Sequence, residues 1–116
     1  MTFQEITDRL TLVTTRQKSL LRKVALTRAK ATHDRTDARC VQCGVKLQAN
    51  YRWYKGLEQP PIADRELQYN LRGVQGSGAF HSKTCAMEWA IEMAELAEQE
   101  HVCRELLAIL IEEGGE

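Results

Sequence analysis

Proline occurs only twice in the 116 residues, aromatic side chains make up 6%, and no apolar run reaches 18 residues. Without such a run no membrane-spanning helix is expected. The first 30 residues carry charge at nearly every turn and contain no apolar stretch with a cleavage site, so no signal peptide is expected either. A chain without one belongs by default in a reducing, cytoplasmic setting, where cysteines bind metal more often than they form disulfides. Net charge is also missing, with 16 Lys plus Arg against 16 Asp plus Glu. That absence is only an average. Residues 1–35 carry a net +5, 36–81 a net +2, and 82–116 a net −7. What remains fits one small domain with a modest core, in need of something further to hold it together.

The first segment reads as a long helix. Thr2 and Glu5 have the spacing of a capping box, and Phe3, Ile6, Leu10, Val13, Gln17, Leu20 and Val24 recur at alternating steps of three and four. The β-branched run Thr11–Thr15 weakens helix propensity, so a bend or fraying is expected there, and the helix should end between Ala31 and Asp37. The period then changes. Val45, Leu47, Ala49, Tyr51 and Trp53 alternate with polar residues, and Leu67, Tyr69 and Leu71 do so again, which predicts two half-buried strands. Gly56, Pro60 and Pro61 suit a long hairpin loop between them, and Gly73, Gly76 and Gly78 suit a flexible turn after them. From Ser82 to about Glu113 a second long helix is predicted, with Trp89, Met93, Leu96, Cys103, Leu107 and Leu110 on one stripe. The chain is therefore expected to be a single α+β domain over 1–116, with a helix in 1–36, a knuckle and hairpin in 37–81, and a helix in 82–113.

Two half-sites for a metal ion stand out. Cys40-Val-Gln-Cys43-Gly44 has knuckle spacing, its glycine allowing a tight turn that points both thiolates at one ion. In Phe80-His81-Ser82-Lys83-Thr84-Cys85, Ser82 as N-cap places Cys85 in the first helical turn, where the helix dipole favours a thiolate. Cys40, Cys43, His81 and Cys85 thus predict one structural zinc ion with no open position. Cys103 lies five helical turns beyond Cys85, about 27 Å along the axis, and reads as a core thiol. His33 and His101 read as solvent-facing or capping side chains, with His33 close enough in sequence to Cys40 to support a ligand.

Knuckle, hairpin and Phe80-His81-Ser82-x-x-Cys85 leading into a helix resemble the treble-clef zinc fingers, the FCS, MYM and TRASH-like group in particular. There an aromatic residue, a ligand and a serine precede the last cysteine. His81 stands where that group usually has cysteine. The resemblance covers residues 40–90 and implies a treble-clef fold there, leaving the long helices as additions to it.

The charge polarity bears on partners. Arg16, Lys18, Arg22, Lys23, Arg28 and Lys30, continued by Arg35 and Arg39, form a basic run that reads either as a phosphate-binding surface for DNA or RNA or as a neutralised face. The zinc module holds both long helices at one end, so they are expected to pack antiparallel with paired positions summing to about 115. That register sets the basic stretch 16–30 against Glu88, Glu92, Glu95 and Glu98. The leading expectation is a regulatory or adaptor protein that docks on a larger protein. A nucleic-acid binder using the first helix comes second, and an acidic-helix mimic of nucleic acid that inhibits a nucleic-acid-binding enzyme third. The heptad stripes also allow pairing between copies. Tyr51, Trp53 and Tyr69 fall on the apolar side of the strand alternation and read as core rather than as a base-stacking platform. Catalysis is not expected. Four protein ligands leave zinc no reacting position, and neither a deaminase motif nor a phosphate-binding glycine loop occurs.

Overall fold

The computed structural model describes residues 1–33, 37–47 and 52–114. Helix α1 spans Phe3–His33. The Thr2 hydroxyl oxygen accepts the Glu5 backbone N–H at 3.2 Å and donates to the Glu5 carboxylate at 3.1 Å, so the expected cap forms, with the carboxylate serving the hydroxyl. The threonine run does not break the helix. Thr7, Thr11 and Thr14 each donate a hydroxyl to the carbonyl four residues back, at 2.9–3.0 Å, so their polar groups are satisfied along the helix surface. Ile6, Val13, Gln17, Leu20, Val24 and Ala31 are buried in the expected 3-4 rhythm.

Helix α3 spans Lys83–Glu112, with Ser82 as its N-cap. Cys85, Ala86, Trp89, Ala90, Met93 and Cys103 are its buried residues. It packs antiparallel on α1. Arg16 reaches Glu92 at 2.9 Å, while Gln17 lines a cleft with Glu100, positions that straddle the expected register. The expected cancellation of charge along the pair does not form. Among the described residues Arg16–Glu92 is the ion pair that joins the two helices. Arg28 turns instead toward Glu58, and Lys30 toward Asp37. Glu95 and Glu98 remain exposed. The outward rotation of these side chains keeps them hydrated, which costs less than burying charge between helices.

The middle of the chain differs most from expectation. Strand β1 is only Arg52–Tyr54, and it pairs antiparallel with β2, Gly73–Gln75, with Trp53 opposite Val74. The expected strand over 67–71 is instead helix α2, Asp64–Asn70. Leu67 and Leu71 are four apart, a spacing that satisfies both periods, and both are buried. The local chemistry selects the helix. Asp64 and Glu66 sit in its first turn, where the dipole favours carboxylates, and Glu66 accepts the Ile62 N–H at 3.0 Å. The glycine segment expected as a flexible turn supplies the second strand. In the first predicted strand, Lys46 makes an isolated bridge with Arg39, Leu47 is buried and Val45 is exposed. Residues 48–51 of that prediction lie outside the described residues, as does the Tyr69 side chain.

The core gathers at the end of the helix pair where the hairpin sits. Trp53, Leu57, Phe80, Trp89 and Met93 are at most 2% exposed, each contributing about 1.5–3 kcal/mol through burial. The Phe80 and Trp89 rings meet at 5.5 Å with planes inclined by 51°. This end holds the hairpin against both helices and positions the cysteines. No helix among the described residues is long and apolar enough to cross a membrane.

Candidate metal centre

The knuckle is shaped by four backbone hydrogen bonds. Cys40 N–H donates to Val45 at 2.7 Å, Gly44 N–H to Cys40 at 2.9 Å, Leu47 N–H to Ala38 at 2.8 Å, and Val41 N–H to Ala79 at 3.0 Å. The first three close the loop on itself. The fourth ties it to the segment that delivers the second half-site. Gly44 makes the turn with φ of +80°, a left-handed conformation that costs other residues energy. On the opposite side, Tyr54 N–H donates to Phe80 at 2.9 Å and fixes the residue before His81. The Ser82 hydroxyl accepts the Cys85 N–H at 3.1 Å, which locks Cys85 into the first turn of α3 as the capping argument requires.

These elements bring Cys40, Cys43, His81 and Cys85 together, with one donor atom from each lying within 4.8 Å of all the others. The Cys43 Sγ and His81 Nδ1 atoms are 3.3 Å apart. Tetrahedral zinc with bonds of about 2.3 Å to sulfur and about 2.0 Å to nitrogen requires donor separations of roughly 3.5–3.8 Å. The cluster therefore fits a single structural zinc ion, three soft thiolates and an imidazole being a donor set that suits it. Cys40 and Cys85 are buried, His81 is half-buried and Cys43 is exposed, so the centre sits in the protein wall with one edge toward solvent.

The electrostatics are divided between the sulfurs. A hydrogen bond from the Val45 backbone N–H lowers the Cys43 pKa against the effect of burial, and Cys40 and Cys85 assist it. Burial pushes the Cys85 thiol up to about 11, with the Ser82 hydrogen bond opposing and the Cys40 charge reinforcing the rise. A dication resolves that conflict by replacing the proton, and the positive end of α3 offsets the excess negative charge of three thiolates.

No family model, curated protein or solved structure matches this chain.

The other chemical residues lie elsewhere. Cys103 is buried on α3 as a free thiol, and His101 is exposed and 3.2 Å from Glu105 on the same helix. The His33 side chain and Arg35 lie outside the described residues. The remaining basic residues are dispersed. Arg28 donates to the carbonyls of Lys55 at 2.8 Å and Gly56 at 3.1 Å, clamping the loop after β1. Arg39 donates to the Gly44 carbonyl at 3.2 Å within the knuckle, and Lys30 is 4.0 Å from Asp37. Arg16 bridges to Glu92, while Lys18, Arg22 and Lys23 point into solvent. The clamp formed by Arg28 has no sequence signature beyond its place at the edge of the buried stripe between Val24 and Ala31. Gln42, whose amide donates to Glu88 at 3.4 Å and links knuckle to α3, has none either.

Proposed function

We propose that this chain is a non-catalytic, treble-clef zinc protein of the FCS, MYM and TRASH type, a regulatory or adaptor protein that docks on a larger protein. The observation that carries the reading is the donor set. Four protein ligands complete a tetrahedral ion, which leaves zinc no position for substrate and makes it a clamp between knuckle, hairpin and helix. Phe80 supports the family reading, its buried ring packing on Trp89 directly before the His81 ligand. Helix α2, set between the two strands, and the three-residue length of those strands are this chain's own elaborations. What such a clamp supports is a rigid pair of helices with long solvent-facing surfaces, suited to recognition.

A second reading rests on Lys18, Arg22 and Lys23, which remain exposed on α1 and are free to meet phosphates. Metal analysis of the purified chain should give about one zinc per chain, and Cys43→Ser should lower that content. A gel shift with random duplex and single-stranded probes over a salt series separates the two readings. Absence of a shift supports docking on protein. Salt-sensitive binding lost on Arg22→Glu would replace that reading with nucleic-acid binding.

A further inference from the structure

Each long helix carries a second, unburied heptad stripe. On α1 this stripe is Arg9, Leu12, Arg16, Lys23, Leu26 and Lys30, all exposed, with Leu12 at 72% and Leu26 at 58%. On α3 it is Glu88, Ile91, Glu95, Val102, Leu106 and Ile109, with the four apolar members 37–48% exposed. Spacings of three, four and seven keep each set on one face of its helix. Both stripes mix large apolar residues with charge, anionic on α3 and cationic on α1 from Arg9 to Lys30, with Glu5 and Asp8 on the same face at the N-terminal end of α1. Leu12 and Leu26 stand singly, but Val102, Leu106 and Ile109 follow one another at one-turn spacing, and a contiguous exposed apolar strip of that kind marks a contact surface.

The two stripes are accessible together. One broad side of the helix pair is covered by residues 60–67, with Pro60 beside Thr14 and Leu21 of α1, and Ile62 and Leu67 beside Ala94 and Ala97 of α3. At 100° per residue, Arg16 and Lys23 lie about 160° around α1 from that flank, and Glu95 and Leu106 more than about 100° around α3. The exposed Arg16–Glu92 bridge marks this uncovered side.

We infer that the uncovered side is a self-association surface, and that a second copy of this chain seats its α3 stripe on the α1 stripe and receives the reciprocal contact. A two-fold axis parallel to the helices does this in one operation. It places each α1 antiparallel to the α3 of the other copy, as within each chain, so a four-helix arrangement closes without an open end. Charge selects this pairing. Contact of α3 with α3 would oppose carboxylates to carboxylates, and contact of α1 with α1 would oppose cations to cations, whereas the reciprocal contact matches opposite signs twice. The split of a neutral chain into basic and acidic ends is what such a dimer requires.

Sedimentation equilibrium of the full zinc-loaded chain tests this. The expected species has twice the 13.2 kDa chain mass and dissociates as salt is raised. Arg9→Glu with Lys23→Glu and Lys30→Glu makes both stripes acidic, and Glu88→Lys with Glu95→Lys makes both basic, so each variant alone should dimerise at least about tenfold more weakly. Mixed in equal amounts, the two should pair with each other, because every contact then regains opposite charges. Leu12→Ser with Val102→Ser, which leaves charge untouched, should also weaken the dimer and serves if a reversed chain loses zinc or helix content. The inference is overturned by a wild-type monomer at all concentrations, by a dimer indifferent to these changes, or by folded reversed variants that stay monomeric when mixed.

Discussion

Gly78→Ala tests how tightly the hairpin governs the metal centre. A methyl group at this position would lie 2.6 Å from Trp53 Cβ and 2.7 Å from both the Trp53 carbonyl carbon and the Tyr54 oxygen. None of these atoms can rotate away. Ordinary contact begins near 3.4 Å, so the 78–80 segment and β1 must separate by roughly 0.8 Å. They are joined there by three hydrogen bonds, Tyr54 to Phe80 at 2.9 Å, Ala79 to Tyr54 at 2.8 Å and Phe80 to Tyr54 at 3.1 Å. Overpacking of about 1–3 kcal/mol, with about 1 kcal/mol for a stretched hydrogen bond, gives a loss of roughly 2–4 kcal/mol. His81 follows Phe80 directly, and metal–ligand distances tolerate only about 0.2 Å, so zinc affinity should fall about 10–100-fold. Urea unfolding of the zinc-loaded chain measures the first quantity and competition with a chromophoric chelator the second. Gly44→Ala is the comparison, because its methyl meets nothing within 4 Å and carries only the strain of φ +80°, about 1–2 kcal/mol. If Gly78→Ala costs under about 0.5 kcal/mol and leaves zinc affinity unchanged, the hairpin does not position His81.

Chelation of the metal should speed amide exchange at Cys40, Val41, Leu47 and Tyr54 at least about 100-fold while most α1 and α3 helicity survives in circular dichroism. Because burial holds the Cys85 thiol near 11, zinc must displace its proton at neutral pH. Apparent affinity should therefore fall at least about tenfold per pH unit on acidification, a slope that competition titrations between pH 8 and about pH 6 would read. Gln17 is buried on the α1 stripe, where its amide lies close enough to the Glu100 carboxylate to join Arg104 in holding that carboxyl below its usual pKa. Gln17→Met removes that donor at similar volume and should destabilise the chain by about 1 kcal/mol, measured as a fall in Tm, while the Glu100 pKa rises. Arg28→Met should cost about 1.5–3 kcal/mol in urea unfolding, since it removes two charge-assisted bonds to loop carbonyls.

The parts of this protein that follow from strict periodicity or ligand chemistry are legible in its sequence. The 3-4 stripe gives α1 from Phe3 to His33, and Ser82 with Cys85 three residues on gives the start of α3 together with the orientation of a ligand. The four donors follow from spacing because zinc admits few donor types, and the structure brings the same four together. The hairpin was obscured by ambiguity. Leu67 and Leu71 satisfy a strand and a helix equally, and the acidic first turn that decides for α2 is a weak signal. The actual second strand, Gly73–Gln75, is poor in strand-forming residues and exists because its partner carries the buried Trp53. Tertiary packing outweighs propensity there.

Charge patterning was legible in amount and misleading in placement. The +5 and −7 segments are real, yet packing places mostly apolar side chains between the helices and turns the charged ones outward or toward loops. A buried Lys–Glu seam would have to repay the desolvation of both partners, whereas Leu20, Val24, Ala90 and Met93 meet without that cost. Opposite charge therefore did not select the partner helix within the chain. It remains available on the surfaces left over, where hydrated pairs steer association and register at little cost. The same polarity that fails as an intramolecular device is thus well suited to an intermolecular one, and the mixing of acidic-stripe and basic-stripe variants distinguishes the two roles directly. Recovery of a dimer from two monomeric variants requires contacts between chains, since cancellation within a chain would leave each variant as it was before mixing.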